Sequence, residues 1–322
     1  MMTGILIAVA AGLASALMFA SIVSGALISI VLFYLAPLPL MVAALGWGSA
    51  TALIGGIVAA LGLGGIFGFP YMAAFALTIA LPAWWLGYLT LLARPVSNDP
   101  QLANLAPALD WYPTGRILVW TAAFATLTTI SALLTLGTDA ETITSALRRG
   151  LLRIIGGRGT ATPAGESERV VDALVAVAPG VATIIAMITL TLNLWLAAKI
   201  TTTSGRLMRP WPDLRTTTLP KTVLGALLVA VVLCFTGGLL AMIAQIVSAA
   251  LLMAYAFTGF AVLHTVTQAF SGRAFVLGAA YAGTLFIGWP LIGMIGLGLA
   301  DAVLGIRQAY WNRRGPPPLP TS

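Results

Sequence analysis

The sequence predicts an all-α, polytopic membrane protein with about eight to ten transmembrane helices. Of its 322 residues, 60% are hydrophobic and only 8% are charged, whereas roughly 25% of the residues in a soluble domain are charged. Continuous apolar runs of about 18 residues or more, long enough to cross a ~30 Å hydrocarbon core, recur along the chain. Because the runs do not alternate apolar and polar residues, they argue against an outer-membrane β-barrel.

Glycine and proline divide the N-terminal block, 1–93, into four predicted helices. The turn signals Ser24-Gly25, Gly46-Trp47-Gly48 and Gly68-Phe69-Pro70 give spans at about 3–22, 25–45, 48–67 and 71–93. No Lys or Arg precedes the first run, and that run is longer than the apolar core of a signal peptide. We therefore expect the first span to be retained.

Small residues recur every four positions in the first and third spans. The first ladder is Gly4, Ala8, Gly12, Ala16, Ala20 and Ser24, and the second is Ala52, Gly56, Ala60, Gly64 and Gly68. Helices in lipid associate where small side chains allow their backbones to approach. The ladders predict a tight N-terminal bundle, with homodimerisation through the same faces as the alternative.

Two polar connections surround the fifth span, which is predicted at 117–137 after the polar link 93–116. The longer connection, 138–170, starts with a helical pattern that places Ile143, Leu147, Leu151 and Ile154 on one face. This pattern is typical of a helix in the headgroup plane, and an ordinary solvated loop helix is the alternative. The following Gly-rich stretch to residue 169 is typical of a flexible linker.

The sixth span is predicted at 172–198, with Asn193 and Lys199 at the membrane boundary and the lysine side chain extended towards the headgroups. A basic cytoplasmic loop, 199–221, follows it. Two further spans fit within 222–268, and we place the break between them near residues 245–248.

The C-terminal apolar stretch 274–306 is too long for one crossing, because a continuous helix of that length would extend ~50 Å. Gly288-Trp289-Pro290 offers a break in its middle, which predicts two short tilted helices or a hairpin. Residues 307–322 are basic and proline-rich and are predicted to be a disordered tail.

Basic residues predict the orientation of this single integral membrane domain, 1–322. Eleven of the sixteen Lys and Arg residues lie in 93–116, 199–221, 269–273 and the tail, and the other five lie in 138–170. The positive-inside rule then predicts that both termini face the cytoplasm of a bacterial inner membrane. Since the basic residues connect the spans, we assign the net charge of +7 to contact with the lipid bilayer rather than to nucleic acid.

The composition argues against an enzyme and against a metal or cofactor site. The chain has one histidine and one cysteine, Cys234, so it lacks the usual sets of metal ligands. No Gly-x-Ser-x-Gly elbow, paired intramembrane aspartates or phosphate-binding loop is present. If the protein takes part in driven transport, we expect the energy to come from an ATPase partner subunit.

Ionisable groups at membrane depth indicate the candidate site. His264 and Gln268 lie four residues apart and therefore share a helical face, and Asp301 is predicted near the same membrane boundary. A carboxylate against the imidazole would make a proton-sensitive pair, and these three residues are our candidate polar, ligand or proton site. The alternative is a structural histidine, with Asp301 capping a helix or pairing with Arg307.

Two C-terminal motifs resemble the YybS-like family of predicted bacterial membrane proteins, a domain of unknown function. Members tend to show a Gly–apolar–Ala–apolar–apolar–His run, matched by Gly259, Ala261 and His264, and a Gly-Leu-x-Asp run before a basic tail. The second run is matched by Gly298, Leu299, Asp301 and Arg307. Thr258 departs from the family, which often has Gln there, and "LPAWWLGYLTLLARP" (81–95) with "WYPTGR" (111–116) is similar to its proteobacterial branch.

The resemblance implies a small helical bundle that acts within a larger assembly. YybS-like proteins look distantly similar to the substrate-binding membrane subunits of energy-coupling-factor vitamin transporters and to the rod-shape subunit MreD. These similarities imply two functions, a solute-handling membrane subunit and a non-transporting scaffold of the cell envelope. They imply no particular substrate.

Overall fold

The computed structural model describes residues 2–95, 109–156 and 164–314, and these residues are mostly helical. The helices are α1 (Met2–Ala20), α2 (Leu27–Leu35), α3 (Pro37–Trp47), α4 (Ser49–Phe67), α5 (Phe69–Phe75), α6 (Leu81–Leu91), α7 (Thr114–Leu134), α8 (Ala140–Gly156), α9 (Ala164–Thr203), α10 (Thr222–Leu233), α11 (Gly238–Val266), α12 (Arg273–Phe286), α13 (Pro290–Leu304) and α14 (Ile306–Arg314). A π-helical turn, Ala76–Ala80, joins α5 to α6, and the short strands β1 (Ala93–Pro95) and β2 (Leu109–Trp111) pair antiparallel.

The predicted class, an all-α polytopic membrane protein, is confirmed. Among the described residues, seven helices or unbroken helix pairs are long and apolar enough to cross a membrane, and the bent pair α12–α13 brings the number to eight if it counts as one span. The apolar helix α10 is shorter. The first four candidate spans are Met2–Ser24, Leu27–Trp47, Ser49–Phe67 and Phe69–Leu91.

Small residues form the crossing of α1 and α4, as the first ladder predicts. A Cβ atom added at Gly12 would collide with the carbonyl of Gly55, and one at Gly55 would collide with the carbonyl of Ala8. Gly55 lies outside the predicted second ladder, whose Gly56 instead packs against Ala80 of the π-helical turn. Two adjacent faces of α4 are therefore used, because α4 is enclosed by α1 on one side and by the α5–α6 span on the other.

The predicted break between the two spans in 222–268 is wrong in position. Helix α10 ends at Leu233 and α11 begins at Gly238, while residues 245–248 lie inside α11. The chain turns where Gly237 and Gly238 both have positive φ, 83° and 62°, a conformation that glycine adopts at little cost. Gln245 gives no comparable turn signal and is exposed on α11.

Helix α9 is longer than the predicted span 172–198. It has 40 residues, or ~60 Å at 1.5 Å per residue, and therefore extends past the hydrocarbon core. Its first residues, from Ala164, belong to the stretch predicted to be a flexible linker. The rest of that linker, 157–163, lies outside the described residues.

The predicted break in 274–306 is confirmed. Helices α12 and α13 meet at an angle of 119°, and Gly288 between them has φ 83°. The predicted tail starts as a helix, α14, and residues 315–322 lie outside the described part of the chain.

Helix α11 is the centre of the C-terminal half of the bundle. It packs against α7, α9, α10 and α13, and Tyr255 in its middle is only 1% exposed. Helix α8 is amphipathic as predicted, but part of its apolar face meets protein, since Ile143 packs with Leu133 and Ile246. Leu152, nearer its end, is 44% exposed.

Candidate functional site

Polar segments that are distant in sequence meet at one end of the bundle. We call this end the basic face and define it as the β1–β2 hairpin, residues 204–221 and the junction between α13 and α14. The Arg206 guanidinium lies 4.5 Å from the centre of the Trp47 ring at the end of α3, and the Lys199 ammonium lies 4.2 Å from that of Trp211. Cation–π contacts of this kind hold the loop 204–221 against the helix ends.

Arg209 fixes the same loop to the N-terminal half. Its side chain is 7% exposed and donates two hydrogen bonds, to the carbonyl oxygens of Thr90 (3.1 Å) and Tyr112 (3.0 Å). Burial lowers the pKa of this guanidinium. A buried cation without hydrogen-bond acceptors is costly, and here two backbone carbonyls from different elements supply them.

Asp301 and Arg307 form a buried ion pair at the C-terminal side of this face. The two side chains are 9% and 4% exposed, and Nη2 of Arg307 lies 2.7 Å from Oδ2 of Asp301. Gly305, with φ 64°, turns the chain after α13, so that the Arg307 amide also donates to Oδ1 of Asp301 at 2.8 Å. Nη1 of Arg307 donates to the carbonyls of Arg215 (2.7 Å) and Thr217 (2.8 Å).

The predicted contact between the His264 imidazole and the Asp301 carboxylate does not form. No hydrogen bond or ion pair joins the two side chains among the described residues, because both carboxylate oxygens of Asp301 accept from Arg307. The alternative, a structural pair of Asp301 with Arg307, is the arrangement present. Asp213 likewise binds Arg215 (2.8 Å), whose hydrogen bonds lower the pKa of the Asp213 carboxyl.

The glycines of the two C-terminal motifs form a close helix crossing. A Cβ atom at Gly259 of α11 would collide with the carbonyl of Met294, and one at Gly298 of α13 would collide with the carbonyl of Tyr255. Thr258, beside this contact, donates its hydroxyl to the Tyr255 carbonyl at 2.8 Å. Its side chain is thereby used within α11, and the crossing explains why both motifs contain glycine.

His264 contacts α12 instead of α13. Its Nε2 lies 2.9 Å from the hydroxyl of Tyr281, and the Tyr281 ring stacks on Phe260 with 4.7 Å between centroids and 6° between planes. Gln268 follows beyond the end of α11, half-buried, and its side chain forms no hydrogen bond with the described residues. His264 and Gln268 therefore both lie at the C-terminal end of α11, whereas the Asp301 carboxylate binds Arg307 and neither of these two side chains.

Arg273, which the sequence did not single out, is the first residue of α12. Nε of Arg273 is buried and has no hydrogen-bond partner among the described residues, which costs about 1–3 kcal/mol, and more for a charged group. The clue in the sequence is that residues 214–300 contain no Asp or Glu at all.

A second polar cluster lies in the middle of the bundle, where the Leu27–Trp47 span is interrupted at Ala36. Pro37 and Pro39 lack the N–H groups that a continuous helix would use there. Asn193 of α9 donates to the Tyr34 carbonyl at 2.8 Å, and Ser15 of α1 donates to the Ala36 carbonyl at 2.5 Å. Asn193 and Ser15 bond carbonyls next to those of Phe33 and Leu35, which lose their helical donors at the prolines, and they attach α9 and α1 to the interruption.

Asn193 was predicted at the membrane boundary, but it is 1% exposed within the bundle. Its amide nitrogen also donates to the Thr189 carbonyl at 2.8 Å, while its Oδ1 has no partner among the described residues. A buried acceptor of this kind can receive a hydrogen bond from water or from a small polar molecule.

The fold and these two polar clusters define a polytopic α-helical membrane protein with discontinuous spans. The chain belongs to the family described as predicted membrane protein (DUF2232), whose family model matches residues 12–302. That range includes the interrupted span at Ala36, the crossing of α11 with α13, and Asp301. No curated protein and no solved structure matches the chain.

Proposed function

We propose that this protein is a solute-handling component of the bacterial inner membrane, one that binds a small molecule among its helices and has no energy source of its own. We place it in the YybS-like group and its proteobacterial branch, on the residues of its two C-terminal motifs and of 81–95 and 111–116. An ATPase subunit or another membrane subunit would supply the energy, and the chain itself would not be an enzyme.

The bent pair α12–α13 is the observation that carries the proposal. All 14 residues of α12 are described, and none of them is buried. Broken membrane helices are tolerated where they are buried in protein or line a cavity, and many transporters build their sites from them. A helix that is held beside His264 by Tyr281 and otherwise packs sparsely is suited to move when a solute enters or leaves.

The interruption at Ala36 supports the same function. It divides a 21-residue span near its middle, the depth at which transporters of several folds bind their substrates. Oδ1 of Asn193 offers an acceptor there. The bundle thus has polar groups at its middle and at its basic face.

The basic face would lie in the cytoplasm. The contacts of Arg209 and Arg307 join the hairpin, the loop 204–221 and the α13–α14 junction at one end of the bundle. Those segments and their flanks hold most of the Lys and Arg residues, and the positive-inside rule favours the cytoplasm for them. Both termini would then be cytoplasmic.

Uptake in cells tests this function. Cells lacking the protein would be compared with cells that express it, or its His264→Ala or Tyr281→Ala variant, for uptake of isotope-labelled vitamins, amino acids and small organic anions. We expect lower uptake of at least one class without the protein and with either variant at unchanged abundance. A matched Tyr71→Ala variant should leave uptake intact, because the Tyr71 ring pairs with Phe67 of α4 and not with His264.

A scaffold of the cell envelope is the second candidate, and the fixed loop 204–221 favours it. Two buried arginines make this loop a preformed surface, with Trp211 39% and Met208 74% exposed. Affinity purification in mild detergent separates the candidates. The scaffold predicts that wall-synthesis proteins co-purify with the wild type and not with a Trp211→Ala/Met208→Ala double variant. If uptake is also normal without the protein, the scaffold would replace the transport proposal.

A further inference from the structure

We propose that Lys199, Trp195 and Trp211 form a binding site for an anionic phospholipid, whose phosphate lies against the lysine ammonium and whose acyl chain follows the outer face of α9. The proposal does not depend on solute handling. It rests on the contacts of these three side chains and on the exposed surface of the helix that carries two of them.

The outer face of α9 is an apolar stripe that ends at Lys199. The stripe consists of side chains that recur at helical spacing and are each between 40% and 46% exposed: Ile185, Ile188, Leu192 and Trp195. Lys199 is the next residue on the same face and is exposed as well. In a bilayer, acyl chains cover such a stripe, and a lysine at its end lies where the hydrocarbon meets the headgroups.

Two indole rings hold the Lys199 ammonium at this level. It lies 4.2 Å from the centre of the Trp211 ring and 6.0 Å from that of Trp195. One ring belongs to the loop 204–221 and the other to α9. The rings attract the cation electrostatically, and amphipathic indoles favour the headgroup layer. The ammonium is therefore positioned by the protein before a lipid binds.

The ammonium has no anionic partner in the described part of the chain. Asp213 is the only acid in 199–221, and it binds Arg215 at 2.8 Å. Lys199 forms no ion pair with the described residues, and the indole N–H groups of Trp195 and Trp211 donate to none of them. A lipid phosphate would supply the missing charge and accept hydrogen bonds from these groups.

The apolar stripe favours a phospholipid over a free anion. A single exposed ammonium binds a free anion weakly in water. The lipids whose acyl chains contact the stripe, in contrast, bring their phosphates to the depth of the ammonium at a high local concentration. Anionic lipids of the cytoplasmic leaflet also attract basic segments next to a span, and Lys199 lies where α9 meets the basic face.

Lysine labelling tests the site, because the chain contains only two lysines, Lys199 and Lys221. Lys221 is the internal control, since it is exposed at the same basic face and contacts no aromatic ring among the described residues. The full-length protein would be acetylated in vesicles of phosphatidylcholine, with or without phosphatidylglycerol, and mass spectrometry would give the rate at each lysine. We expect phosphatidylglycerol to slow acetylation of Lys199 about fivefold relative to Lys221.

Trp211→Ala should remove most of this protection, because it deletes the ring nearest to the ammonium. Trp47→Ala is the matched control and should leave the protection intact, since Trp47 has the same 39% exposure but contacts Arg206 instead of Lys199.

If Trp211→Ala fails to fold, two exposed substitutions decide. Native mass spectrometry would measure the phosphatidylglycerol that remains bound to the purified Lys199→Gln and Lys221→Gln variants. Both lose one positive charge at the same face, and we expect retention to fall about fivefold in Lys199→Gln alone.

Equal slowing at both lysines, or none at either, would overturn the site, because only the average potential of the membrane surface would then act on Lys199. Equal lipid retention by the two Gln variants would overturn it as well. Inorganic phosphate added to phosphatidylcholine vesicles should protect neither lysine, and protection of Lys199 by phosphate would contradict a lipid site. None of these measurements involves uptake, so their failure would leave the proposed function standing.

Discussion

At the scale of single residues, each buried arginine is explained by its acceptors. Arg209 and Arg307 are nearly inaccessible, and backbone carbonyls or a carboxylate accept their hydrogen bonds. Arg307 also joins α14 to the loop 204–221 through the carbonyls of Arg215 and Thr217. Both side chains therefore stabilise the basic face, in contrast to Arg273, whose Nε lacks an acceptor.

Asp301→Asn should destabilise the protein by about 3–5 kcal/mol, because it leaves the buried Arg307 charge without its carboxylate. The measurement is the free energy of unfolding of the purified protein in mixed micelles. Arg94→Gln is the matched control. It breaks the pair of Arg94 with Asp110, whose side chains are 82% and 49% exposed, and a change of less than about 1 kcal/mol is expected. Equal effects of the two variants would show that burial does not strengthen the Asp301 pair.

At the scale of helices, the crossing of α11 and α13 depends on the absence of two side chains. Gly259 and Gly298 bring backbone against backbone, which is the main way in which helices associate tightly in lipid. Neighbouring glycines of α13, such as Gly296, face open space. The same residue type is therefore structural at one position and replaceable two positions away.

Gly259→Ala should destabilise the bundle by about 3 kcal/mol, since its Cβ atom meets the carbonyl of Met294, which cannot move independently of α13. Gly296→Ala should change the stability by no more than about 1 kcal/mol in either direction. Thermal unfolding of both variants in the same detergent provides the comparison. A Gly259→Ala protein as stable as Gly296→Ala would contradict the crossing.

Helix α12 depends on a single aromatic side chain for much of its attachment. Tyr281→Phe keeps the ring that stacks on Phe260 but removes the hydroxyl that bonds His264. Since a hydrogen bond contributes about 1 kcal/mol, amide hydrogen exchange in α12 should become about fivefold faster. Tyr71→Phe, on a residue of α5 whose ring pairs with Phe67, should leave exchange in α12 unchanged. Unchanged exchange in Tyr281→Phe as well would disprove this attachment.

At the scale of the whole molecule, the basic face unites both halves of the chain. The hairpin follows the fourth span, the loop 204–221 follows α9 and the α13–α14 junction follows the last helix, yet Arg209 and Arg307 connect all three. Helix α8 connects the C-terminal end of α7 to the N-terminal end of α9, at the end of the bundle away from the basic face. The two ends of the bundle therefore differ in structure as well as in charge.

Accessibility labelling tests the proposed orientation. In a Cys234→Ser background, single cysteines would replace the exposed residues Thr138, before α8, and Met208, in the basic face. A membrane-impermeant maleimide should label Thr138→Cys in intact spheroplasts and Met208→Cys only after permeabilisation. The reverse pattern would place the basic face outside and contradict cytoplasmic termini.

The sequence alone determined the fold class and most of the helix boundaries. Length and hydropathy are sufficient for this, because a lipid-exposed helix must be apolar along its whole span and must satisfy its own backbone. Gly288 and Pro290 also predicted the break in the last apolar stretch correctly. Cys234 to Gly237 was missed as a break, because the apolar residues on both sides of it continue the hydropathy signal.

The tertiary structure alone decided which polar groups meet. Arg307 bonds the carbonyls of residues 90 and 92 positions away, and Asn193 bonds that of Tyr34, 159 positions away. His264 and Asp301 were predicted at one membrane boundary, but His264 binds Tyr281 and Asp301 binds Arg307. Hydropathy fixes the depth of a residue in the bilayer, whereas its neighbours depend on how the helices are arranged around one another, and that arrangement follows from close packing between distant parts of the chain.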